Sequence, residues 1–374
     1  MNLSVGIVGL PNVGKSTLFN ALLKKQAALA ANYPFATIEP NIGIVPVPDE
    51  RLFRLAEITK NEHSMSDLPP IKPATVEFVD IAGLVKGASV GAGLGNKFLS
   101  HIREVKIIAH VVRVFEDPNV VREGSVDAKS DYETIRTELA LSDLTTIAAS
   151  KQKNKSAQVL LEKLENTINK GKNVFALESS KEDQEFVRQL NLLTAKPELI
   201  VINVPESEYS KDKNEEISLE YSRQLDNGSE DMVVISAKIE EELAALSEKD
   251  QKQYLAELGL EESGLERLIQ KAYQELGLIS FLTAGEKEVR AWTIQKGTNA
   301  KSASGEIHTD FINNFIKAEV VSFDDFVSNN GPASPDKRAS RGGWKGSRAS
   351  GKARLEGHDY IINDGDVVEF KIGR

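Results

Sequence analysis

Nine residues near the start of the chain, GLPNVGKST at positions 9–17, constrain it more than any other feature. They satisfy GxxxxGK(S/T), a pattern that acts as a phosphate loop only where a strand hands over to a helix. Both neighbours comply. LSVGIVG reads as a short buried strand, and NVGKSTLFNALLKK carries Val13, Leu18 and Leu22 at helical spacing. Gly9 and Gly14 would let consecutive backbone N–H groups curl around a β-phosphate, with the helix N-terminus adding partial positive charge. Lys15 is then placed to bridge the β- and γ-phosphates, and Ser16 to offer its hydroxyl to Mg²⁺. The expected nucleotide-binding residues here are Asn12, Val13, Gly14, Lys15, Ser16 and Thr17.

A site that senses a γ-phosphate also needs a metal-contacting Thr in a loop and an Asp at a strand end. Thr37 in NYPFATIEPN and Asp80 in DIAG supply them, giving Ser16, Thr37 and Asp80 as the expected metal set. Gly83 would give a backbone N–H to the γ-phosphate. Leu84 follows it, and a leucine cannot orient the attacking water as a glutamine does, so slow intrinsic turnover is expected. The expected catalytic set is Lys15, Gly83 and Leu84, a hydrophobic residue in place of Gln. The water must then be positioned from elsewhere, such as the glycine-rich segment 87–95, a partner or a cation.

Base recognition is expected at the end of a later strand. There the chain has Asn203-Val204-Pro205-Glu206, where guanine sites commonly carry NKxD; the lysine is missing and the acid is Glu. An asparagine amide can donate to purine N7 and accept from the adenine N6 amine, so adenine is favoured over guanine. Ser236 and Ala237, in Ser236-Ala237-Lys238 after the next strand, are expected to pack against the base.

Stretches at 42–47, 75–79, 107–115, 198–204 and 232–237 read as strands alternating with helices, hence an α/β fold with a mostly parallel sheet. Between about 130 and 196, Tyr132, Ile135 and Leu139, then Leu161, Leu164 and Ile168, follow three-and-four spacing and predict a helical, coiled-coil-like insertion. After Gly277 the chain turns strand-rich, with an Asp364-Gly365 turn in DYIINDGDVVEFKI. A length of 374 residues suits two or three units. Cysteine is absent, which excludes disulfides, zinc thiolates and a thiol nucleophile. No basic leader or apolar run of membrane-spanning length is seen, so a cytoplasmic protein is expected, with a monomer as the default. The net charge of −10 argues against a surface devoted to nucleic acid, yet residues 337–354 hold seven basic residues and no acidic one. This basic arm is expected either to be a solvated loop or to seek phosphates, with Trp344 free to stack on a base. His110 and His101 are expected to be structural.

Together GLPNVGKST, ATIEPN, DIAGLVKGAS, NVPE and SAK, followed by RAWTIQKG and GEIHTDF, resemble the YchF (Obg-like ATPase) family of TRAFAC-class P-loop proteins over nearly the whole chain. The resemblance implies a Ras-like P-loop G domain over 1–278, interrupted by the helical coiled-coil insertion, and a C-terminal β-grasp TGS domain over 279–374. It also implies ATP hydrolysis with Mg²⁺ and association with the ribosome, through its large subunit and rRNA contacted by the TGS domain and the basic arm. Some relatives look to carry a water-positioning His where this chain has Arg122. The expected function is a ribosome-associated ATP switch. The alternative is a nucleotide-gated RNA- or ribosome-binding adaptor in which hydrolysis is incidental. A phosphotransferase is disfavoured because no arginine-rich lid accompanies Thr37 or Asp80.

Overall fold

The computed structural model describes residues 3–32, 41–81, 94–115, 127–154, 157–172, 174, 180–328 and 342–373. In chain order the first elements are β1 (Ser4–Val8), α1 (Lys15–Asn32), β2 (Ile42–Pro46), α2 (Glu50–Glu62), β3 (Ile71–Lys72), β4 (Thr75–Asp80), α3 (Leu94–Glu104), β5 (Ile107–Arg113) and α4 (Ala128–Lys153). There follow α5 (Gln158–Asn169), α6 (Lys181–Leu190), β6 (Glu198–Asn203), α7 (Lys211–Leu225), β7 (Met232–Ile235), α8 (Ala237–Leu243), α9 (Glu248–Glu257) and α10 (Gly264–Glu275). The remainder is β8 (Leu278–Ala284), β9 (Val289–Gln295), α11 (Ala300–Ser304), α12 (Thr309–Asn314), β10 (Phe315–Ser322), α13 (Phe323–Val327), α14 (Gly343–Ala349), β11 (Arg354–Glu356) and β12 (Asp366–Ile372).

The first compact unit comprises Met1–Val45 and Val76–Ala272. Its described strands order as β2-β4-β1-β5-β6-β7. β1 pairs in parallel with β4 and β5, β5 with β6, and β6 with β7. Every residue of β1 and β5 is buried, as a parallel sheet covered on both faces requires. Gly6 is a packing glycine: a Cβ there would lie 2.6 Å from Ile81 Cδ1 and 2.8 Å from Val105 Cγ2. Parallel pairing brings the C-terminal ends of β1, β4, β5 and β6 to one edge, the place where open α/β sheets bind ligands.

The helical insertion is present as α4, α5 and α6. Leu161, Leu164 and Ile168 bury against Ile147 and Leu192, whereas Ile135 and Leu139 pack on Val8, Ile81 and Ile108 of the sheet region. A single long helix therefore serves two cores, its first half in the sheet and its second in the hairpin. The joint is held by Asp143, fully buried, which accepts from Leu193 N (2.9 Å), Thr194 N (2.8 Å) and Thr194 Oγ1 (2.8 Å). His110 is a core histidine, with Nδ1 2.8 Å from Glu198 Oε1, and Tyr132 Oη donates to the other oxygen of that carboxylate. His101 is an exposed residue in the last turn of α3.

The second unit comprises Pro46–Thr75 and Tyr273–Arg374, which differs from a linear division at 278/279. Its described strands order as β11-β10-β12-β8-β9-β3, with β8/β9 and β10/β12 antiparallel and β12/β8 parallel in the middle. Phe281, Trp292, Ala300, Ala303, Val320 and Val368 form its core, in the β-grasp manner of a sheet closed over short helices. The expected turn is there, with Gly365 at φ 81°. The excursion 46–75 joins this unit because α2 is amphipathic: Leu52, Leu55, Ala56 and Ile58 are buried. Arg51 is clamped between Asp49 and Asp364, at 2.8 Å from each, and β3 pairs with β9.

Residues 342–354 correct the expectation of a free basic arm. Gly343 (φ 79°) turns the chain into α14, and Trp344 is buried, edge-to-face on Phe326 at 5.4 Å with Nε1 donating to Ala284 O. Glu62 caps the helix by accepting from Trp344 N (3.1 Å) and Lys345 N (2.7 Å). Arg348 grips Glu319 with two 2.8 Å bonds and Glu369 with a third, and Lys352 pairs with Asp325 at 3.0 Å. Carboxylates distant in sequence neutralise cations that looked unopposed locally. Positions 337–341 lie outside the described residues. Among the described residues no helix is long and apolar enough to cross a membrane.

Candidate functional site

The 9–17 segment forms the turn between β1 and α1 that its motif demands. Asn12 adopts φ 63° and Gly14 φ 96°, left-handed conformations that set successive peptide planes of a phosphate loop. Neither glycine at the motif's fixed positions tolerates a side chain. A Cβ on Gly9 would sit 2.8 Å from Val111 O, and one on Gly14 would sit 2.2 Å from Asn203 Nδ2. Leu18 N donates to Gly14 O at 2.9 Å, starting the helix, while Asn12 and Ser16 are exposed and Val13 is buried.

Asp80 arrives at the same edge because β4 pairs in register with β1, Ile7 opposite Asp80. Lys15 Nζ lies 3.4 Å from Asp80 Oδ1. That approach is an ion pair without hydrogen-bond alignment, and the oxygen is otherwise a buried acceptor with no donor among the described residues. A carboxylate oxygen without a hydrogen bond, at the sheet edge that also carries the loop with the exposed Ser16, is the chemistry of a hard-cation site, and these residue types fit Mg²⁺.

Asn203 closes the back of the loop. Its Nδ2 donates to Val13 O at 2.9 Å and its Oδ1 accepts from Ala237 N at 3.0 Å, with the residue only 4% exposed. The amide therefore ties the phosphate loop to the 236–238 segment through one of its two N–H groups and one lone pair of its oxygen. Val204 is a core residue with its N–H on Ile235 O, Ser236 is buried at the start of α8, and Glu206 is ion-paired with Lys238. Behind them Tyr209 Oη and Gly264 N both donate to Glu240 Oε1, at 3.0 and 2.8 Å, bracing the segment after Asn203. Burial pushes the Glu240 carboxyl up from the ordinary range.

The structure thus brings together Gly9, Asn12, Val13, Gly14, Lys15, Ser16, Thr17, Asp80, Asn203, Val204, Ser236 and Ala237. Thr37, Gly83, Leu84, Arg122 and residues 87–93 lie outside the described residues. Arg113 was missed from sequence: its Nη1 donates to Asn12 O at 2.9 Å. Ending a hydrophobic strand, it carried no local signal beyond its charge.

Comparison with known proteins agrees with this geometry. A family model described as 50S ribosome-binding GTPase matches residues 4–223, and the YchF-GTPase C-terminal model, described as a protein of unknown function, matches residues 278–373. The chain is 45% identical to the Ribosome-binding ATPase YchF of Bacillus subtilis and 44% identical to that of Escherichia coli O157:H7, each over 99% of both chains. It is also similar to the solved structure of the Schizosaccharomyces pombe YchF GTPase, with TM-score 0.82 and 35% identity over 99% of this chain and 98% of that one. With a phosphate loop, an Asn-x-x-Glu in place of the guanine signature and a β-grasp unit at its C-terminus, matched from end to end, the chain belongs to the YchF family.

Proposed function

We propose that the protein is a Mg²⁺-dependent P-loop ATPase, cytoplasmic and monomeric, whose nucleotide state is read by the ribosome. The observation that carries this reading is Lys15 set 3.4 Å from an Asp80 oxygen that lacks a hydrogen bond, at the mouth of the loop. Lys15 would leave Asp80 for the β- and γ-phosphate oxygens and neutralise charge there as the bond to the leaving ADP breaks. Ser16 and Asp80, with Thr37, would hold Mg²⁺, which when bound supplies further charge neutralisation. Water attacks the γ-phosphorus in line, forming the new P–O bond as the bond to the β-phosphate oxygen opens, and yields ADP and phosphate. Leu84 offers that water no hydrogen bond, so turnover is slow until another group orients it.

Relatives are named both ATPase and GTPase. Residues 203–206 favour ATP. A guanine site needs a short carboxylate to accept from N1–H and the exocyclic amine, whereas Glu206 is a methylene longer and engaged by Lys238. Ribosome association follows the names of the bacterial relatives, with the β-grasp unit as the contact to the large subunit and its rRNA. Within 342–354 Arg348, Lys352 and Arg354 are ion-paired and Trp344 is buried, which leaves Lys345 as an exposed cation for that role.

Calorimetric titration with non-hydrolysable ATP and GTP analogues, with and without Mg²⁺, tests the reading alongside multiple-turnover hydrolysis. Magnesium-dependent ATP binding and hydrolysis lost in Lys15→Ala are expected. Hydrolysis unchanged in that variant, or preference for the guanine analogue, would overturn it. Ribosome co-sedimentation that needs bound nucleotide but never its hydrolysis would leave the adaptor role instead.

A further inference from the structure

Arg113 ends β5, and Asn203 ends β6; the two are register partners across the parallel pair. They hold consecutive carbonyls of the phosphate loop, Arg113 Nη1 on Asn12 O and Asn203 Nδ2 on Val13 O, each at 2.9 Å. In a planar trans peptide the C=O and the following N–H point in opposite directions. Pulling Asn12 O and Val13 O back toward the strands therefore turns Val13 N–H and Gly14 N–H forward, to the side from which a phosphate approaches.

Among the described residues Arg113 is also electrostatically unfinished. The residue is 3% exposed, its Nε donates to Phe115 O at 3.0 Å, and its guanidinium lies 5.1 Å from the Phe115 ring. Among the described residues no carboxylate pairs with it. Two neutral carbonyls and a ring do not compensate a desolvated cation, and a guanidinium has further N–H groups to give. The guanine signature places a lysine after its asparagine, but this chain has buried Val204 there.

We propose that Arg113 is the positioning residue of the phosphate loop, supplying from the neighbouring strand the cation that the Asn-x-x-Glu signature lacks, and that the nucleotide's phosphates are its counter-charge. This rests on the ATPase reading above. The loop and the arginine are then complementary. Without nucleotide the buried charge is a burden on the fold. With nucleotide it fixes the N–H groups and adds positive potential under the phosphates.

The test uses the full chain as wild type, Arg113→Met and Arg113→Lys, with Lys15→Ala as control, and reads melting temperature and affinity for a Mg²⁺–ATP analogue. Arg113→Met should melt at or above wild type without nucleotide, yet bind the analogue about tenfold more weakly or worse, with most of the kinetic loss in KM. Arg113→Lys, with charge but one donor group, should fall between. A purely structural arginine gives the opposite pattern, a lowered melting temperature without nucleotide and an undiminished shift on adding it. That result, or failure of Arg113→Met to fold at all, overturns the proposal. If Lys15→Ala loses binding while both Arg113 variants keep it, the ATPase reading survives and this inference does not. If wild type takes up no Mg²⁺–triphosphate, both fall.

Discussion

Two segments of this chain look alike on paper, each glycine-rich and basic: GLPNVGKST and RGGWKGSRASGKAR. In the second, Arg348 is filled by Glu319 and Glu369, Lys352 has Asp325, and Trp344 is packed on Phe326. In the first, Lys15 meets Asp80 without hydrogen-bond alignment, and Arg113 beneath the loop meets no described carboxylate at all. A basic glycine-rich stretch is a site where its cations are left incompletely matched inside the fold, and a structural element where they are matched.

The sharpest way to break this contrast is Trp344→Ala. As a core residue, Trp344 should cost about 3–5 kcal/mol when truncated, read from denaturant unfolding of the second unit. Unchanged stability with loss of RNA retention would restore the free-arm view. Next in size, Lys15→Ala should slow single-turnover ATP hydrolysis by roughly a hundredfold or more, because the lost charge faces the developing phosphate charge.

Asn203→Ala sharpens the comparison from the other side. Loss of its two backbone bonds should cost about 1–3 kcal/mol and weaken ATP and GTP analogues by the same factor, since the side chain clamps loops. A change in the ratio of the two affinities, measured side by side, would return Asn203 to base reading. The smallest effect concerns pH. Arg348 holds the Glu319 carboxyl below its ordinary 4.5, with Lys371 adding to it. The sign is that of a depressed acid: the stabilisation is complete above about pH 4.5 and is lost as pH falls through the lower folded value. Being partly exposed, the pair contributes no more than about 1 kcal/mol. Arg348→Met should flatten the acid limb of a melting-temperature profile, and an identical profile would show the pair idle.

The phosphate loop, the parallel sheet, the helical insertion, the core role of His110 and the Asp364-Gly365 turn were legible because each depends on neighbours in sequence. Glycine conformation, strand burial and three-and-four spacing are properties of short windows. The excursion 46–75 was less visible, since its α2 pattern says that a face is buried without saying against what. Asn203 shows the same limit at a single residue: its chemistry suggested a purine contact, and only the fold revealed that its amide also joins Val13 to Ala237.

By itself, then, the order of residues determined where a triphosphate could be held and what kind of sheet would hold it. Tertiary structure alone decided that Arg113 reaches Asn12, that Glu62 caps α14, and that Glu319 removes Arg348 from the basic surface. The physical reason is that a charge or an amide is free or spent according to the partners that meet it across the fold, and those partners lie tens to hundreds of residues away in the chain.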